Sequence, residues 1–177
     1  MGDTEWETFS ASDVDWVTFR PDDSTAAVEM VRKLLLGEVG GPLVRIESPE
    51  PPRPRGLLGR FKKVERMAAQ VVAGRQGGPL VLTVGDETEE PIGRRFERAG
   101  VVVPDGWSLA ANATFPWVEA PSTADPVTVV EFIVGVLSAL GAGAGEWRVG
   151  IDTPRIVEHA HGPEGSHTHP PGEHHHH

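Results

Sequence analysis

The chain contains no cysteine and no tyrosine, and all eight of its histidines lie between His159 and His177. Without cysteine there are no disulfides, thiolate zinc sites or thiol nucleophiles. Without a histidine before His159, Ser-His-Asp hydrolysis and histidine general-base chemistry lose their central member in the presumed folded part. No run of about 18 apolar residues occurs, so no membrane-spanning helix and no membrane partner are expected. The opening stretch "MGDTEWETF" is acidic and lacks the basic start and apolar centre of a secretory signal, so a cytoplasmic location is expected. Basic residues are the minority, 16 against 26 acidic ones, for a net charge of −10. Nucleic acid is therefore an unsuitable partner, since phosphate contacts need concentrated Lys and Arg. A cationic partner suits the charge better, although the same acidity also serves solubility.

What is present is a hydrophobic share of 38% with 16 Pro and 21 Gly, the composition of a modest core joined by long loops. Domain-size priors allow a core of about 120–140 residues. A single α+β domain is expected over 1–150, followed by a disordered, His-rich tail over 151–177. "DVDWVTFR" alternates imperfectly and predicts a short strand. "PDDSTAAVEMVRKLLLGEVGG" predicts a helix capped by Asp23 or Ser24, with Val28, Val31, Leu34 and Leu35 on one stripe and Gly37 as a stop. "PLVRIES" predicts a strand with Leu43, Val44 and Ile46 as apolar members.

The basic, Pro-rich insert over 49–66 is interrupted by Pro49, Pro51, Pro52 and Pro54 and reads as a solvated, extended loop. Its other reading is a basic arm for an acidic partner. Residues 57–74 fit a helical period through Leu57, Phe61, Val64, Met67 and Val71, but a hairpin is slightly favoured. In that hairpin "RMAAQVVAG" is the first arm, "RQGG" the turn and "PLVLTVG" the second arm. "TEEPIGRRFERAG" predicts a short helix, capped by Thr88 or Glu90, with Pro91 in the first turn, Ile92, Phe96 and Ala99 on one face, and Gly100 closing it. Residues 107–117 read as extended. The last helix starts at Asp125-Pro126 and repeats Val127, Val130, Val134, Leu137 and Leu140. Phe132, Ile133 and Val136 widen its apolar surface past half the circumference, so it is buried against several elements or shared with a second subunit.

Few motifs carry chemistry. "GAGAG" at 141–145 follows a helix and lacks a Lys-Ser or Lys-Thr pair, so it is a connector and not a phosphate loop. Asp86, Glu87, Glu89 and Glu90 cluster at a helix start, where acids favour the helix dipole. His159, His161, His167 and His169 are candidate ligands for nickel, zinc or copper, with weak binding expected from a tail that lacks supporting contacts. No other cofactor is expected.

With this element order in place, the chain resembles the TY-Chap families, actinobacterial relatives of class I type III secretion chaperones and of YbjN-like proteins. The resemblance runs over roughly Ser24 to Trp147. It is carried by "AAQVVAG…GPLVLTVGDE" with Gln70 in the first arm, by "IGRRFERAGVVVP", by Asn112 and by "DPVTVVEFIVGVLSALGAG". Three features depart from the pattern: Met67 or Ala68 stands where an aromatic is usual, Ala99-Gly100-Val101 replaces Leu-Gly-Trp before Pro104, and the 49–66 insert is unusual. The resemblance implies a twisted, mostly antiparallel sheet with about three helices packed on it, often dimeric, that holds a client protein or peptide without catalysis. Leu80, Leu82, Val84, Trp107, Phe115 and Trp117 are the candidate peptide-binding residues, with some of them expected in the core. The alternative is a metal-binding or metal-sensing protein acting through the His-rich tail. A third reading, a structural or immunity-type protein with one cognate partner, is inseparable from the first at this stage.

Overall fold

Alternation of apolar and polar residues in the chain's short runs produces strands, and three longer apolar periods produce helices. The computed structural model describes residues 5–7, 14–37, 43–52, 55–56, 65–74, 77–84, 90–110, 117–152 and 155–157. The chain divides into two units, Met1–Thr8 with Pro154–His177, and Phe9–Thr153. In the first, β1 (Glu5–Glu7) pairs antiparallel with β9 (Arg155–Val157), placing Trp6 opposite Ile156.

The second unit runs β2 (Val17–Phe19), α1 (Thr25–Leu35), β3 (Leu43–Glu47), β4 (Ala68–Val72), β5 (Leu80–Val84), α2 (Ile92–Ala99), β6 (Ser108–Leu109), β7 (Trp117–Ala120), α3 (Pro126–Ala139) and β8 (Trp147–Asp152). Seven strands form one sheet in the order β2-β8-β3-β4-β5-β7-β6. Every neighbouring pair is antiparallel. The expected α+β architecture, an antiparallel sheet carrying three helices, is therefore the observed one. Helix α1 links β2 to β3 across the intervening β8, α2 links β5 to β6 across β7, and α3 carries the chain from β7 back to β8.

The helices share one face of the sheet. Against them lie the buried Val44, Ile46, Ala69, Val71, Leu80, Leu82, Val84, Val118 and Val149. Each such Val, Leu or Ile contributes about 1.5–3 kcal/mol by leaving water. Helix α3 buries Val129, Val130, Phe132, Ile133, Val136 and Leu137 and touches α1, β4 and β5. Phe132 also meets Phe96 of α2 edge-on at 6.4 Å and Trp107 at 5.2 Å. Most of its wide apolar surface is thus buried within one chain, while Val127 stays 39% exposed. At the far side Trp147 packs with Phe19, ring centroids 6.2 Å apart.

Helix ends follow local chemistry. Asp23 Oδ1 accepts from the Thr25 hydroxyl at 2.8 Å, whereas Ser24, at the cap position of α1, makes no side-chain bond to the helix. Asp125 Oδ1 accepts from the Val127 amide at 3.0 Å, with Pro126 in the first turn of α3. At α2 the cap position belongs to Pro91, and Glu90 instead binds Arg98. Thr88 lies outside the described residues. Gly100 takes a left-handed conformation at φ 69°, which lets the Val101 amide bond back to Phe96 O at 2.9 Å.

One open choice is settled and two expectations change. Residues 68–72 form a strand, as in the favoured hairpin reading, and not part of a helix, because β4 is bonded on both sides, to β3 and to β5. The two arms close tightly: a Cβ on Gly74 would lie 2.5 Å from Pro79 O, so only glycine fits there. Ser108–Leu109 and Trp117–Ala120 are two strands, β6 and β7, paired antiparallel, so 107–117 is not one extended run; residues 111–116 lie outside the described residues. Finally, β8 sits between β2 and β3 as an interior strand, and it extends to Asp152, inside the span read as tail. Gly150 interrupts its apolar pattern, which is why the sequence alone does not mark it.

Candidate functional site

Among the described residues the sheet's second face carries no helix. On it, direct cross-strand partners form three rows. Arg45, Gln70, Thr83 and Trp117 are successive partners across β3, β4, β5 and β7. Beside them runs a second row of Leu43, Val72, Val81 and Glu119, which ends on Ser108 of β6. On the other side Ala68, Glu47, Arg148 and Thr18 follow one another. Leu43, Val72 and Val81 are half-buried and stand apart from the core cluster beneath the helices. Trp117 is 43% exposed. Glu119 is half-buried.

One end of this face is closed by ion pairing. Glu47 is only 2% exposed. Its Oε1 accepts from Arg45 Nε at 2.9 Å, its Oε2 accepts from Arg148 Nε at 2.6 Å, and Arg148 Nη2 is ion-paired with the same oxygen at 2.5 Å. The Arg148 guanidinium lies 4.2 Å from the centre of the Trp16 ring. Gly150 makes room for this covering: a Cβ there would fall 2.4 Å from Val14 Cγ1 and 3.1 Å from Asp15 O. Residues 14–16 therefore lie over the β8 end, with Val14 buried. Two guanidiniums sharing one carboxylate, with that of Arg148 also stacked on the Trp16 ring, form a polar seam, since the geometry of arginine suits both kinds of partner.

Comparison of the chain with known protein families, characterised proteins and solved structures finds no match. Geometry alone has to assign the site.

The structure distributes the six candidate peptide-binding residues among different places. Leu80, Leu82 and Val84 point to the helix face and are fully buried, so they hold the core and present no contact surface. Trp107 is half-buried against Phe132 and closes the core between α2 and α3. Only Trp117 stands on the helix-free face. Phe115 lies outside the described residues, as do His159, His161, His167 and His169. Among the described residues no group of three or more His, Cys, Asp or Glu is placed to hold a metal ion. A shallow depression of about 580 Å³ near the start of α1 is lined by Phe19, Arg20, Asp23, Thr25, Glu29 and Glu146, among others. Its Asp23 already serves the helix start.

Arg45, Glu47, Thr83, Glu119 and Arg148 escaped the sequence reading as site residues, and Gln70 entered it only through the family resemblance. Period-2 alternation in "LVRIE" places Arg45 and Glu47 on one face, opposite Val44 and Ile46. That was the available signal. Arg148 had none, since it reaches Glu47 across 101 positions through a pairing invisible in the chain.

The basic insert enters the same neighbourhood. Pro49 is buried, and Arg66 Nη1 donates to Ser48 O at 3.0 Å while the Met67 amide donates to Ser48 Oγ at 3.0 Å. Both ends of the insert are thereby tied to the start of β4. Residues 53–54 and 57–64 lie outside the described residues, and with them Leu57, Phe61 and Val64 of the helical reading.

Proposed function

We propose that the chain is a non-catalytic polypeptide-binding domain, chaperone-like or adaptor, that holds a client protein segment on the helix-free face of its sheet. The observation that carries this reading is the face itself: helices cover one side of the sheet, while the other presents Trp117, 43% exposed, next to a half-buried aliphatic row. A contiguous apolar strip of this kind is a common feature of interaction surfaces, and tryptophan is the residue most enriched at binding hot spots. The element order α1, β3, hairpin β4–β5, α2, β6–β7, α3 supports the kinship to TY-Chap and secretion-chaperone domains. A cytoplasmic client and a homodimeric assembly belong to the same reading.

The test is co-purification from the native cytoplasm followed by mass spectrometry, with the full chain and with a chain lacking residues 158–177. One or two dominant partners kept by the shortened chain, with no turnover of them, is the expected result. Capture that disappears with the tail would move the function to the His-rich segment. Absence of any specific partner in both forms refutes the reading.

A further inference from the structure

The helix-free face is not uniform, and its chemistry specifies an occupant. Of the charged side chains described on it, Arg45, Glu47 and Arg148 satisfy one another at the β3–β8 end. Glu119 stands alone at the β7 end. It makes no ion pair and no side-chain hydrogen bond among the described residues. It shares its strand and its face with Trp117, two residues away, since both alternate with the buried Val118. A half-buried carboxylate beside an exposed indole is a cation subsite: the carboxylate supplies the charge and the ring the face over which a guanidinium or ammonium is attracted. The chain's net charge of −10 draws the same kind of partner by long-range attraction.

Next to Glu119 in its row lie Val81, Val72 and Leu43. Alongside, in the neighbouring row, stand Thr83 and Gln70, whose hydroxyl and amide can both donate and accept. A peptide lying between the rows thus meets aliphatic side chains on one flank and hydrogen-bonding groups for its backbone on the other. Strand spacing of about 4.8 Å puts Leu43 about 14 Å from Glu119 across three strand intervals. An extended peptide rises about 3.3 Å per residue and turns alternate side chains to one side, so this distance takes about five residues with three of them facing the sheet.

Resting on the polypeptide-binding reading, we propose that this face takes an extended client segment in which a Lys or Arg and two aliphatic residues alternate with other residues, in either chain direction. The cation sits between Trp117 and Glu119, and the two aliphatic side chains lie on Val81, Val72 and Leu43.

Three labelled peptides and the full chain test this by fluorescence anisotropy: Lys, Val and Val alternating with Ser; the same peptide with Glu for Lys; and the same with Ser for both Val. The first is expected to bind at least ten-fold more tightly than either of the others. Glu119→Lys should reverse the preference between the Lys and Glu peptides, and Trp117→Ser should weaken the Lys peptide several-fold, both with unchanged thermal midpoints. If Glu119→Lys does not fold, Glu119→Gln should abolish the preference. Equal binding of all three peptides, or a preference untouched by these variants, overturns the proposal. So does sedimentation showing a dimer that either variant dissociates, because the occupant is then a second copy. The variants are also taken through co-purification: a client retained by both refutes this location and leaves the polypeptide-binding reading standing, whereas no client for the unaltered chain refutes that reading itself.

Discussion

Replacing Glu47 by Gln preserves volume and removes one charge at the most heavily engaged side chain of the helix-free face. The carboxylate accepts hydrogen bonds from Arg45 Nε at 2.9 Å and Arg148 Nε at 2.6 Å and forms an ion pair with Arg148 Nη2 at 2.5 Å, at a residue exposed by only 2%. Glutamine keeps one acceptor and turns an amide donor towards an arginine donor. Removing one member of a fully buried ion pair costs about 3–5 kcal/mol, because the other charge stays desolvated and unmatched. Here the arginine side chains are each 25% exposed, so water relieves part of that penalty. The expected loss is about 2–3 kcal/mol, discounted from the buried value for solvent screening. Urea unfolding followed by tryptophan fluorescence measures it; with a slope of about 1–3 kcal/mol per molar, the midpoint falls by about 0.7–3 M. The loss should persist in 1 M salt, where the screening length is about 3 Å but the carboxylate is shielded from ions. Combining Glu47→Gln with Arg148→Met in a double-mutant cycle should return a coupling of about 1–3 kcal/mol. A loss under about 0.5 kcal/mol, the ordinary value for a surface substitution, would refute the argument, and so would a loss that salt erases.

Ile133→Ala empties a fully buried position of α3 and should cost about 2–5 kcal/mol in the same urea assay. Asp125→Ala removes the acceptor for the Val127 amide and should cost about 1 kcal/mol, read as a lower thermal midpoint. Gly74→Ala forces a methyl to within 2.5 Å of Pro79 O and should destabilise the β4–β5 hairpin by about 1–3 kcal/mol, seen as faster amide exchange there. Glu90 is held below the ordinary glutamate range, first by its hydrogen bond from Arg98 and then by that residue's charge, opposed by burial. A depressed folded-state value means the pair stabilises the fold above the unfolded carboxyl's range and loses that contribution as pH falls through the folded one. Arg98→Ala should therefore raise the Glu90 midpoint in a carboxyl NMR titration; an unmoved midpoint would assign the shift to another cause.

Much of this architecture is written in local patterns. Apolar period and capping chemistry predict α1 and α3, because Val28, Val31 and Leu34 in one and Val130, Ile133 and Leu137 in the other recur at helical spacing. The Leu80, Leu82, Val84 alternation predicts β5 and its inward face, and turn glycines predict the hairpin. The choice between helix and strand at Ala68–Val72 was not local, since "MAAQVV" fits both periods until β3 and β5 supply partners on either side. Strand β8 likewise exists through its neighbours: Gly150 breaks the pattern in sequence, yet in space its missing Cβ is what admits Val14. The same division holds for the candidate site. Composition alone removed cysteine and histidine chemistry from the folded unit and set the sign of the charge. Which tryptophan faces outward, and which charged groups meet, depended on strand order. Trp107 and Trp117 look equivalent in the chain, but one closes the core on Phe132 and the other stands 43% exposed beside Glu119, on the face that carries no helix among the described residues. Side-chain alternation is a local property of a strand, whereas the neighbour across the ladder is set by register between distant segments, and only the folded sheet decides it.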